Sequence, residues 1–392
     1  LTRITLKGLI REEIDPGNQN EYLSRATNYG FMIKFTIDKD IRQAATLPAA
    51  FYRSQAVFEA VVERIFTRCW HYVADRSVAA SSGQVYPLTL LEGVLDEPLI
   101  ITCDDAGRRC LSNVCTHRGK LIVEAPGKQR QLTCGYHGRC FGLDGVFRRM
   151  PGFKEAANFP SPADNLSRLP FAEWLGLLFT ALDPAVPFEE MTAPIRQRVS
   201  FLPLDTLAFV EEASKDYYVK ANWALYCDNY LEGFHIPFVH PALNQALEFD
   251  QYEYETFRYC NLQVGVAGSG EPAFDLPDGH PDAGRRIYAY YFFLFPNLMF
   301  NFYPWGLSLN VVEPLSHHRT RVRFRTYKFA GTPHDRERNQ LDVTELEDEA
   351  VVESCQQGMQ SRFYHRGRYS PSMEPCVHHF QRLIAAFMNQ ND

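Results

Sequence analysis

The spacing Cys115-Thr116-His117, then sixteen intervening residues, then Cys134-Gly135-Tyr136-His137 constrains this chain more than any other feature. Each half offers one thiolate and one imidazole. Glycines at 119, 135 and 138 let the backbone bend closely around a metal centre. Two half-sites of this kind can hold a [2Fe–2S] cluster, with two Cys on one iron and two His on the other. Neutral imidazole in place of thiolate lets such a cluster accept an electron more readily than an all-Cys cluster. A structural zinc ion is the alternative, since Cys₂His₂ is also a zinc set. Zinc sets usually pair like with like. Here each half mixes Cys and His, and the second repeats the first.

At 392 residues the chain is expected to form two domains. Its 45% apolar and 22% charged content describes an ordinary globular protein. The net charge of −7 gives no reason to expect nucleic acid or an anionic membrane as partner. No apolar run reaches about 18 residues, so no membrane span is expected. The first thirty residues lack the apolar stretch of a secretory signal. Besides Cys115 and Cys134, the cysteines are scattered. Cys69, Cys103, Cys227, Cys260, Cys355 and Cys376 read as reduced, mostly buried small hydrophobes, which implies a reducing cytoplasm. Cys110 and Cys140 lie near the two boxes but outside the ligand spacing, and read as structural.

Residues 1–45 read as an N-terminal extension, non-native before Met32, because the chain opens on Leu. A helix follows within 46–69. Phe58, Val61, Val62, Ile65 and Phe66 recur at helical spacing, with Ser54 as N-cap. From 70 to 183 short strands alternate with turns, at Val85–Leu91, Pro98–Thr102 and Leu175–Leu182. Asp104-Asp105-Ala106-Gly107 and Leu143-Asp144-Gly145 read as hairpin turns. The Pro-rich stretch at 183–187 marks a boundary. Residues 184–392 form a second, larger unit. Its strands are expected at 216–220, 254–265, 287–295, 299–303, 308–313 and 320–329, and its helices near 222–236, 345–361 and 374–388. The whole is an α+β arrangement, a small antiparallel-β domain followed by an antiparallel sheet around helices.

The boxes Cys-x-His-Arg-Gly and Cys-x-Tyr-His-Gly resemble those of Rieske non-haem iron oxygenases, the terminal components of ring-hydroxylating and N-demethylating systems. One departure is Arg139, where that family usually has Trp after His-Gly; it changes packing beside the cluster but no ligand. The resemblance implies a Rieske domain at 70–183, with the cluster on Cys115, His117, Cys134 and His137. It implies a helix-grip (START-like) catalytic domain at 184–392.

The stretch from Asn222 to Pro241 resembles the family's iron-binding helix, and His235 and His240 match its two iron ligands. Five residues apart is about 140° off-register on a regular helix. Pro237 also removes a donor between them, so the helix must break or widen into a π-like turn. A mononuclear Fe(II) site needs two His and one carboxylate, with positions left open. Asp348 matches the carboxylate ligand, with Glu347 or Glu349 as fallback. Glu232 matches an acidic bridge, most often Asp, which joins a cluster His of one subunit to an iron His of the next. Glu in that slot resembles the choline and carnitine monooxygenase branch. Asp228 is the second candidate for that role. Trp223 reads as core, and Asn229 as either an iron neighbour or a cap.

Tyr291, Phe292, Phe293, Phe295, Phe300, Phe302, Tyr303 and Trp305 are candidate pocket residues, half of which should point inward, though most read equally as sheet core. Inward rings suit an aromatic substrate or, by cation–π contact, an ammonium. The resemblance implies a mono- or dioxygenase. Electrons come from NAD(P)H through a separate reductase or ferredoxin, and O₂ is used at Fe(II) to hydroxylate an aromatic ring or an N-alkyl group. It also implies a homotrimer. Two other readings are a Rieske electron carrier fused to a binding domain without catalytic iron, and a zinc-stabilised ligand-binding protein.

Overall fold

The computed structural model describes residues 34–332 and 338–390, so the expectation for residues 1–31 lies outside the described residues. Residues 35–45, expected in the extension, instead join the folded unit: Phe35 and Asp38 meet the C-terminal helix Pro375–Asn389, and Arg368 Nε donates to the Ala44 carbonyl at 2.8 Å. Phe35 is buried and its N–H donates to Asn389 Oδ1 at 3.0 Å, while His378 Nε2 meets the Asp38 carbonyl at 2.7 Å. The correction has a simple cause: an apolar side chain finds cover on a distant helix, which local composition does not reveal.

The expected N-terminal helix is present as Ala49–Arg53 and Gln55–Arg64. Ser54 caps the second by accepting from the Val57 N–H, and Phe58, Val61, Val62, Ile65 and Phe66 are all buried. Three antiparallel sheets follow between 71 and 180. One orders His71–Asp75, Leu177–Thr180 and Phe171–Trp174. A second is five-stranded and built on Gln84–Leu90, Glu97–Asp104 and Gly107–Ser112. The third joins Leu132–Thr133, Cys140–Phe141 and Phe147–Arg149. Both expected hairpin turns connect strands, at 104–107 and at 143–145.

A seven-stranded antiparallel sheet occupies the rest. Its order is Ala208–Val219, Arg319–Lys328, Gly306–Ser316, Leu298–Tyr303, Ile287–Leu294, Cys260–Val266 and Glu253–Thr256. Cys260–Val266 and Leu298–Tyr303 are buried along their whole length, so both faces of the sheet are covered. On one face Leu262, Val264, Phe292, Phe300 and Phe302 share a core with Trp70, Trp174, Phe179 and Phe188. Residues alternating with these, among them Gln263, Tyr291, Asn301 and Tyr303, face the opposite side, where the helices lie. That side carries the site.

Candidate metal centres

The two cluster loops are the same turn made twice. Gly119 N–H donates to the Cys115 carbonyl at 3.0 Å, and Gly138 N–H to the Cys134 carbonyl at 3.1 Å. Cys115 N–H donates to the Lys120 carbonyl and Cys134 N–H to the Arg139 carbonyl, at 2.9 and 2.8 Å. Gly119 and Gly138 have φ of 70° and 69°, which side-chain-bearing residues rarely adopt; Gly135 needs no such freedom. Cys115 and Cys134 are buried in the core with Ile100, Leu111, Leu132 and Phe141. His117 is half-buried and His137 exposed, their rings 4.8 Å apart. Tyr136 stacks on His137 at 3.7 Å. The thiols therefore point inward and the imidazoles outward. Burial and the neighbouring Cys134 push the Cys115 thiol up, a penalty that metal ligation removes.

Among the described residues, only His235, His240 and Asp348 gather three donor atoms within 4.8 Å of one another. In the cluster loops the two thiols lie together in the core and the two imidazole rings lie 4.8 Å apart nearer the surface, a thiol pair and an imidazole pair as a two-iron cluster requires.

The second site is built on a broken helix. Asn222 caps the helix Trp223–Tyr230, its side chain accepting from the Ala224 N–H at 3.0 Å, and Trp223 packs in the core against Phe66 and Phe380. The chain then leaves the helix. A Cβ at Gly233 would lie 2.9 Å from the Tyr252 ring, so the turn fits only because that atom is missing. A short helix Ile236–Val239 follows, then Pro241–Ala246, with His240 between them at φ −118°, ψ 76°. No π-turn forms. Pro237 does not break the segment but lies in the first turn of the new helix, where no N–H partner is needed. Pro241 is the breaker, because the residue before a proline is pushed out of the helical region. That swings His240 onto the side of His235.

His235 Nε2 and His240 Nε2 are 3.1 Å apart. Asp348 Oδ1 lies 3.0 Å from His240 Nε2 and 3.4 Å from His235 Nε2. An octahedral ion with donors at about 2.1 Å holds adjacent donors about 3.0 Å apart, which is this triangle. Each Nδ1 faces its own carboxylate: His235 meets Glu232 Oε1 at 2.7 Å, and His240 meets Glu347 Oε2 at 2.7 Å. With Nδ1–H donating, each Nε2 presents a lone pair. Two lone pairs and a carboxylate aimed at one point repel unless a cation sits between them, so this donor set fits a divalent metal.

Glu232 also accepts the His235 backbone N–H at 3.0 Å. Glu347, expected as a substitute for Asp348, is instead the partner of His240, and Glu349 is not among the carboxylates that meet the two imidazoles. Asn229 settles into one role, donating from Nδ2 to Asp348 Oδ1. Without a metal, burial disfavours the imidazolium of His235, but Asp348 and Glu232 outweigh it and push its pKa up to about 9, so a cation binding at Nε2 must displace that proton. Burial likewise opposes the Asp348 carboxylate, yet the two histidines hold it at about 2. Asp228 does not join this group. Its oxygens accept from Tyr52 OH at 2.8 Å and Gln381 Nε2 at 2.9 Å, and burial raises it to about 7.

A cavity of about 160 Å³ opens beside the triad. Of the eight aromatics singled out in the sequence, Tyr291, Tyr303 and Trp305 line it. Phe292, Phe300 and Phe302 belong to the core on the other face, while Phe293 and Phe295 pack on Phe380. Trp305 stacks on Tyr303 at 5.0 Å, and Tyr288 and Tyr291 meet Tyr303 edge-on at 6.0 and 5.9 Å. Tyr288, Asn301, Ser308 and Asn310 were not anticipated. Their strand alternation was visible, but not which face of the sheet meets the metal. The charged lining among the described residues is Glu232, Glu345 and Asp348, beside the histidines.

A family profile for the Rieske [2Fe-2S] domain matches residues 70–160, and one for the ring hydroxylating alpha subunit (catalytic domain) matches residues 204–390. The carnitine monooxygenase oxygenase subunit of Acinetobacter pittii (strain PHEA-2) is 30% identical over 367 residues, covering 87% of this chain and 94% of that protein. Chloroplastic choline monooxygenase of Beta vulgaris is 27% identical over 351 residues, covering 86% of this chain and 76% of its own. The solved structure of a quaternary ammonium Rieske monooxygenase, described for carnitine oxidation by gut microbiota, superposes with a TM-score of 0.72 at 26% identity, covering 89% of this chain and 96% of that one. Naphthalene 1,2-dioxygenase with indole bound shares the fold, with a TM-score of 0.65 at 18% identity, covering 88% and 92%.

Proposed function

From the premise that the chain belongs to the Rieske non-haem iron oxygenases, we propose that it hydroxylates an N-alkyl group of a quaternary ammonium substrate. The single observation that carries this is the His235, His240 and Asp348 triangle opening onto an aromatic, acid-lined cavity, in the same chain as the two cluster loops. Aromatic faces and carboxylates both attract a cation. The relatives named for choline and carnitine point the same way.

Cys115, His117, Cys134 and His137 would hold a [2Fe–2S] cluster, and His235, His240 and Asp348 a ferrous ion. When bound, these supply single electrons and O₂ activation respectively. The rest is done by the chain's own side chains. Glu232 and Glu347 hold the protons on Nδ1 of the two histidines and fix both rings. Asn229 turns the Asp348 carboxylate toward them. Tyr291, Tyr303 and Trp305 exclude water from the substrate and orient the ammonium. The product would be the hydroxylated substrate, or, once the C–N bond of the hydroxylated carbon breaks, the free amine and the carbonyl compound that carries that carbon; with two electrons and two protons the second atom of O₂ would leave as water.

The division we assign is a cluster domain at 70–183 and an iron domain at 184–392; the sheets support it, since no strand pairs across the boundary among the described residues. Electrons would come from NAD(P)H through a separate reductase or ferredoxin. The outward imidazoles, with Tyr136 exposed beside them, and the exposed Phe234 and Phe238 flanking His235 support a head-to-tail homotrimer. The eight cysteines other than Cys115 and Cys134 are free thiols, which suits a reducing compartment such as the cytoplasm. No described helix is long and apolar enough to cross a membrane.

Two measurements test this. Iron and acid-labile sulfide should be present at about three irons and two sulfides per chain. Two irons alone would mean an electron carrier, and zinc without sulfide a ligand-binding protein. Substrate-dependent electron consumption should then respond to quaternary ammonium compounds and not to aromatic acids. The opposite response would overturn the substrate class.

A further inference from the structure

Arg139 follows the second cluster loop directly, and no step above uses it. Its side chain is 2% exposed, which is rare for a charged group. An apolar side chain would fill the same space without the loss of hydration that a buried guanidinium suffers.

Its neutralisation is incomplete. One carboxylate pairs with it, Asp164 Oδ1 at 2.6 Å from Nη2, and Nη2 also reaches the Asp164 carbonyl at 3.2 Å. Nε is buried with no hydrogen-bond partner. The guanidinium otherwise lies over the rings of Phe147, Phe159 and Phe141, at 5.0, 5.4 and 5.7 Å. Asp164 differs: a fifth of its side chain stays in water, and it accepts from the N–H and hydroxyl of Ser161 at 2.7 and 3.0 Å. Water and those donors screen the carboxylate more than the rings screen the cation. The protein around Arg139 therefore carries a net positive field.

That field lies between the two cluster loops. The Arg139 carbonyl accepts the Cys134 N–H at 2.8 Å. The Asp164 carbonyl bound by its guanidinium also accepts the hydroxyl of Thr116, between Cys115 and His117, at 2.9 Å. Phe159, under the guanidinium, touches Phe153 at 4.8 Å, and Phe153 meets His117 edge-on at 5.4 Å.

We propose that Arg139 is a positioning cation of the cluster site, which stabilises the reduced cluster and raises its reduction potential above the value an uncharged residue would give. One electron entering without a proton leaves the cluster one unit more negative. A poorly screened cation close by favours that state. The inference rests on reading the four Cys and His as a [2Fe–2S] site, which the visible and EPR spectra of the parent protein report independently.

The test is an EPR-monitored redox titration of the cluster-loaded full-length protein. Arg139→Met and Arg139→Trp should shift the midpoint negative, and Arg139→Lys should stay near the parent. Asp164→Asn removes the counter-charge and should shift it positive. Parent midpoints in Arg139→Met and Asp164→Asn, with unaltered spectra, would reduce Arg139 to a packing residue and overturn the proposal. Should Arg139→Met fail to hold a cluster, Asp164→Asn decides alone: a midpoint that stays or falls also overturns it. A parent protein lacking a Rieske-type spectrum would remove the cluster reading itself.

Discussion

Glu232 and Glu347 do the same work for two different histidines, from two segments far apart in the sequence. Each sits 2.7 Å from an Nδ1, so each fixes a tautomer and a ring plane. Removing such a partner typically weakens metal binding about 10- to 100-fold. Glu347→Gln should therefore raise the Fe(II) dissociation constant by that factor, read by competition with a chromophoric chelator. The visible spectrum of the cluster should not change, because Glu347 faces the other centre. Glu347→Asp should recover part of the affinity. Equal Fe(II) affinity in parent and Glu347→Gln would mean that packing alone holds His240, which is 1% exposed.

At the scale of elements, the iron site depends on a helix that stops twice. Gly233 allows the first stop, since the Tyr252 ring lies too close, at 2.9 Å, for a Cβ there. Gly233→Ala is expected to destabilise the protein by about 1–3 kcal/mol through overpacking, and to lower iron occupancy because the turn carries Glu232 and His235. Chemical denaturation and metal analysis check the two effects separately. Much of this layout was readable beforehand. The cluster spacing, the Ser54 cap and most of the strands follow from local pattern, and the two histidines from the resemblance; the single strand expected at 254–265 is instead the antiparallel pair Glu253–Thr256 and Cys260–Val266. What was not readable depends on pairing between distant segments. Asn229 finds Asp348 across 119 residues. Tyr291 and Phe292 are neighbours in sequence, yet one lines the cavity and the other the core. Alternation separates the two sets, but only the position of the helices says which set meets the substrate.

Across the whole molecule, the same logic of burial and exposure sets where subunits meet and how the fold is fastened. Phe238 is 80% exposed between the two iron histidines, which suits a subunit contact better than solvent. Phe238→Asp should convert the proposed trimer to monomer in sedimentation while iron stays bound; a trimer that survives would place the contact elsewhere. Asp228 fastens three remote segments instead. Tyr52 comes from the N-terminal helix, Asp228 from the iron-site helix, and Gln381 from the C-terminal helix. Gln381 Oε1 in turn accepts from the Leu47 N–H and Tyr369 OH, both at 2.7 Å. Burial raises the Asp228 carboxyl from 3.8 to about 7. Between about pH 4 and pH 7 the folded chain thus holds a proton that the unfolded chain has released. The stabilisation is complete below about pH 4, declines as pH rises, and is gone above about pH 7, with a total on the order of a few kcal/mol. Asp228→Asn keeps the shape without the titration. Denaturation midpoints at pH 5 and pH 8 should therefore differ less in Asp228→Asn than in the parent, with the gain concentrated at pH 8. An unchanged difference would mean that Asp228 stays ionised throughout, held by the Tyr52 and Gln381 donors alone.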